Sequence, residues 1–101
     1  MNKLRRKELY KLINELNAVT NKEDLQDCID TLESIKCDEE EYYDNAPENL
    51  QYSERYEASQ EAINNMDTAL NYLYDAQNCE DEDEMQDNIE YAISAIEDAV
   101  I

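Results

Sequence analysis

Apolar side chains recur at helical spacing along nearly the whole chain, in four segments divided by polar breaks. The first carries Leu9, Leu12, Ile13, Leu16 and Val19. Thr20-Asn21-Lys22-Glu23 follows and reads as a capping box, with Thr20 at the N-cap and Glu23 reaching back. The second segment carries Leu25, Cys28, Ile29, Leu32 and Ile35, then Tyr42, Tyr43 and Ala46, and Glu39 interrupts its stripe. Pro47 ends that helix or opens the next turn, because it lacks an N–H and restricts Ala46. Ser53 is the N-cap candidate of the third segment. There Tyr52, Tyr56, Ser59, Ile63, Met66, Leu70, Leu73 and Gln77 alternate in steps of four and three, with Ala62, Ala69 and Ala76 alongside. Such a seven-residue repeat favours coiled-coil packing against the second helix. Asn78-Cys79-Glu80-Asp81 is the last break, with Asp81-x-x-Glu84 a second cap. The final helix carries Met85, Ile89, Ala92, Ile93, Ile96 and Val100. The pattern predicts an all-α fold: one domain over 1–101, an antiparallel helical bundle of three long helices and a shorter N-terminal one.

Composition supports this and excludes much else. The 101 residues include no Gly and one Pro, so tight β-turns, Rossmann crossovers and P-loops lack their essential residues. No His is present, which removes Ser-His and Cys-His catalysis and the usual zinc sites. The expectation is a non-enzymatic protein with no catalytic residues, no metal and no cofactor. Cys28, Cys37 and Cys79 form an odd set without a C-x-x-C, and Cys28 falls at a core position as a small hydrophobe. The basic start has no apolar run behind it, and no stretch approaches about 18 apolar residues. A cytoplasmic location without membrane contact follows as the expectation.

Charge changes the picture most. Acids number 27 against 8 bases, a net charge of −19. Residues 1–22 hold Lys3, Arg5, Arg6, Lys7, Lys11 and Lys22 against Glu8 and Glu15, a balance of +4. Residues 23–101 hold 25 acids against Lys36 and Arg55, a balance of −23. Ordinary helices mix both signs, because like charges at i,i+4 cost a few tenths of a kcal/mol. A helix of about 26 residues is roughly 39 Å long. Duplex DNA of that length carries about 23 phosphates, close to the acidic excess here. The densest runs, Asp38-Glu39-Glu40-Glu41 and Glu80-Asp81-Glu82-Asp83-Glu84 with Asp87 and Glu90, are the candidate partner-binding surface. A solubilising surface is the plainer account of the same runs. A calcium loop is disfavoured, since 80–84 lacks the glycine and alternate spacing of an EF-hand.

All eight aromatics are tyrosine, a residue suited to the boundary between core and wet surface. Tyr42, Tyr43, Tyr52 and Tyr56 flank the Pro47 turn and form a second candidate partner-binding corner. The Lys3–Lys7 cluster is too small on so acidic a chain to predict direct contact with nucleic acid. Pairing with acids of its own bundle, or of a second copy in a homodimer, is the expectation.

The stretch Asn45-Ala46-Pro47-Glu48-Asn49-Leu50-Gln51-Tyr52-Ser53-Glu54-Arg55-Tyr56-Glu57, followed by heptads rich in Ala, Ile, Asn and Glu, resembles a group of small acidic helical proteins. These are encoded by phages and mobile elements of Firmicutes, and the resemblance covers roughly residues 30–101, with the Pro47–Glu57 turn its specific part. It implies an inhibitor of host defence of the anti-CRISPR or DNA-mimic type. A basic nucleic-acid-binding protein, such as a CRISPR effector nuclease, is the implied partner. Two other functions stand beside it: an oligomeric sponge for a nucleotide signal of host immunity, and a structural adaptor working through the tyrosine corner.

Overall fold

The structure, a computed structural model, describes residues 3–45 and 54–100. Four α-helices and no strand are present among them: α1 (Lys3–Asn17), α2 (Lys22–Asp44), α3 (Glu54–Asn78) and α4 (Glu82–Ala99). At 15, 23, 25 and 18 residues, α4 is only slightly longer than α1. The expectations at Ala46, Pro47, Tyr52 and Ser53 lie outside the described residues.

Local chemistry accounts for two of the helix starts. Lys22 begins α2 one residue later than the capping-box pattern predicts, so Asn21, not Thr20, is the N-cap. Its side-chain oxygen accepts the Asp24 N–H at 2.8 Å, satisfying one of the donors that every helix start leaves open. Asp81 caps α4 as the spacing predicts, although its carboxylate accepts the N–H of Asp83, at 2.9 Å.

Each helix buries the stripe that its periodicity marks: Leu9, Leu12 and Leu16 on α1, Leu25, Ile29 and Leu32 on α2, Met66 and Leu73 on α3, Ile89 and Ile96 on α4. Burying one such Leu or Ile contributes about 1.5–3 kcal/mol. The third stripe is wider than a coiled-coil seam. Ala62, Ala69 and Ala76 are buried beside Met66, Leu70 and Leu73, while Ile63 is only half-buried. The reason is that α3 packs on two neighbours, α2 and α4, and must present about 100° of apolar surface. Buried alanines at 62, 69 and 76 and at 92, 95 and 99 allow the close approach behind the extensive α3–α4 contact.

The contacts of α1 with α2 and α4, and of α3 with α2 and α4, close a ring of four helices. In that ring α2 and α4 lie across from each other. The resulting body measures 48 × 20 × 18 Å.

Candidate functional site

The two acidic runs have different surroundings. At the end formed by the start of α1 and the last turns of α2, Glu39 is buried completely. It therefore does not belong to the exposed acidic surface where its sequence neighbours place it. Its position continues the inward stripe of Leu32 and Ile35, and the fold supplies partners instead of exposing it. Arg5 Nε lies 2.6 Å from Glu39 Oε2, and the buried Ser59 hydroxyl donates to Oε1 at 2.6 Å. Burial alone would raise the Glu39 pKa. The bonds from Ser59 and Arg5, with the guanidinium charge, outweigh it and hold the carboxyl below the ordinary glutamate range.

The tyrosine corner closes over the same pair. Tyr56 is buried; Tyr42 stacks on it with ring centres 5.8 Å apart, and Tyr43 meets it edge-on at 6.2 Å. The Arg5 guanidinium sits 5.4 Å from the centre of the Tyr42 ring. Tyr42, Tyr43 and Tyr56 are thus occupied with one another, and Tyr52 lies outside the described residues. Among the other members of the run, Glu40 accepts from Lys36 at 3.2 Å, while Asp38 and Glu41 are exposed. Lys36 also reaches Asp67 on α3 at 2.5 Å, and that hydrogen bond leads in raising the lysine pKa.

Among the described residues, no ion pair reaches the second run. Glu80, Glu82, Asp83 and Glu84 are exposed at the start of α4, with Asp81 at the cap. Three of them occupy the first turn, where the helix macrodipole favours negative charge. Asp87 and Glu90 continue outward, opposite the buried Met85, Ile89 and Ile96. Glu97 and Asp98 extend the same exposed face by two further turns. Sequence reasoning missed these two, although their distances of seven and eleven residues from Glu90 and Asp87 place them on one helix face.

The fold does not bring the two runs together. Glu39 meets Ser59 on α3, whereas Gln26 meets Gln77 beside the Asn78–Asp81 break. Positions 26 and 39 are thirteen residues apart, about 20 Å along the helix. The acidic outer faces of α2 and α4 also look away from each other across the ring.

Four shallow concavities of about 170–290 Å³ are each bordered by carboxylates, such as Glu15, Asp24 and Asp27 around Cys28. Burial, with the charges of Glu15, Asp27 and Asp24, pushes the Cys28 thiol up to about 11, so it is protonated at neutral pH. Among the described residues, no three acidic or sulfur side chains converge as metal ligands, and no helix is long and apolar enough to cross a membrane. No protein-family model, curated protein or solved structure matches the chain.

Proposed function

We propose that this protein is a non-enzymatic, cytoplasmic inhibitor of a basic nucleic-acid-binding protein of bacterial defence, with a CRISPR effector nuclease as the leading target. It would act stoichiometrically by occupying the channel that normally holds nucleic acid. An origin among phage-encoded acidic helical proteins is part of the same reading, on the resemblance around Pro47–Glu57.

One observation carries it. Nineteen net negative charges over a 48 Å body make about one per 2.5 Å. A single DNA strand carries one per roughly 3.4 Å and the duplex one per roughly 1.7 Å. Exposed carboxylates are densest on α2 and α4, with fewer on α3, much as phosphates line both strands of a duplex. An antiparallel bundle provides this rod. Its support is the order of contacts between α2 and α3: Gln26 with Gln77, Glu33 with Tyr74, Lys36 with Asp67, Glu39 with Ser59. Carboxylate-bordered concavities have the wrong sign for a nucleotide signal, which disfavours the sponge. The adaptor loses ground because its tyrosines are occupied internally.

The test is competition. Titrated against purified CRISPR effectors, the protein should displace bound nucleic acid at one-to-one stoichiometry, and its affinity should fall steeply as salt rises. Binding that keeps the same strength from low to high salt would defeat mimicry.

A further inference from the structure

The chain has far more acids than bases, yet most cations of α1 find no partner among the described residues. Arg5 alone turns inward to Glu39. Lys3, Arg6, Lys7 and Lys11 are all exposed and take part in no ion pair there. Lys3, Lys7 and Lys11 form a stripe opposite Leu9, Leu12 and Leu16, with Arg6 to one side. Leu4 and Tyr10 stand among them, 63% and 56% exposed. A stripe of lysines flanked on either side by an uncovered apolar side chain offers a partner both charge and apolar contact.

The matching surface is on the molecule itself. The outer face of α4 bears Asp83, Asp87 and Glu90, with Tyr91 57% exposed among them. Lys3, Lys7 and Lys11 span eight residues and Asp83, Asp87 and Glu90 span seven, about 12 and 11 Å of helix. Sign and length therefore correspond, and each stripe has an exposed tyrosine beside it. Because α1 packs beside α4, the two faces flank one seam of the bundle, and a two-fold operation would lay each onto its complement. We propose that the outer face of α1 is an interface for a second copy of this chain, which it meets through that copy's acidic α4 face.

Nucleic acid is the other polyanion that suits four cations. The balance of −23 over residues 23–101 repels a continuous polyanion along its length, whereas a second copy meets this face with one acidic stripe of similar length. Self-association would cover the α4 face that the inhibitory reading also uses and leave α2 open; it is measured without any target, so failure to dimerise and failure to inhibit are told apart.

Sedimentation of the full chain at about 0.15 M salt, where the Debye length is about 8 Å, should show a dimer with Kd between about 1 µM and 1 mM. The double variants Lys7→Glu/Lys11→Glu and Asp87→Lys/Glu90→Lys should each weaken association at least about tenfold with unchanged helicity, since all four side chains are exposed. Mixed together, the two variants should associate again. At about 0.01 M salt the Debye length of about 30 Å lets the whole net charge of each copy repel the other, and the dimer should weaken. A chain that stays monomeric at about 1 mM overturns the proposal. So does failure of the mixed variants to associate. Binding of a labelled duplex oligonucleotide that disappears with Lys7→Glu/Lys11→Glu, in a monomeric protein, assigns the face to nucleic acid instead.

Discussion

The runs at 38–41 and 80–84 are nearly identical in composition, and the fold treats them in opposite ways. The first lies toward the C-terminal end of α2, where the macrodipole disfavours negative charge and the last turn offers no basic residue. Two of its carboxylates are held by cations, Glu39 by Arg5 of α1 and Glu40 by Lys36 one turn earlier on α2, while Asp38 and Glu41 stay exposed. The second lies at the start of α4, where the dipole favours it, and faces water. One run is partly drawn into the structure; the other faces water throughout. Acid content alone does not mark a binding surface. Position along the helix and distance from the core decide.

Substitutions should separate the two. The largest expected effect is at the buried pair. Arg5→Ala removes the guanidinium bonded to the buried Glu39 and should cost about 3–5 kcal/mol in a urea titration. Equal stability of wild type and variant would mean that the pair does not form. The same pair has a pH signature. The folded-state pKa of Glu39 is depressed, so the unfolded chain binds a proton more readily as acid is added. The carboxylate's contribution is therefore complete above the ordinary glutamate range, near pH 4.3, and drains away as pH falls through the folded value. Wild type relative to Glu39→Gln should accordingly lose its advantage as pH falls below the ordinary glutamate range, and the difference cancels the background of exposed carboxylates.

Charge reversal comes next in size. Asp83→Lys, Asp87→Lys and Glu90→Lys together should weaken capture by the basic target by at least about tenfold, or 1.4 kcal/mol, with helicity preserved. Reversal of the exposed Asp38 and Glu41 should weaken it less. Equal losses at both ends would place the working surface along the whole rod. The smallest expected effects are at the caps. Asn21→Ala and Asp81→Ala should each lower stability by about 1 kcal/mol in thermal melts, and Thr20→Ala by much less.

Much of the architecture was legible beforehand because helical periodicity is a local property. Leu9, Leu12, Leu16, Leu25, Ile29, Leu32, Met66, Leu73, Ile89 and Ile96 were all readable as core, and all are buried. The cap of α2 was displaced by one residue, since Thr20 and Asn21 both satisfy the pattern and geometry chose Asn21. The break in the α2 stripe at Glu39 was also visible. What filled the gap was not, because Arg5 and Ser59 lie 34 and 20 residues away in the chain.

Spacing and composition by themselves determined that the chain is helical, where its apolar stripes run and how unevenly its charge is divided, for each depends on near neighbours only. Which carboxylates face water, which one is enclosed with a cation, and that the two acidic runs sit apart were decided by packing. Desolvation is set by what the other helices bring close, and no window of sequence contains that information.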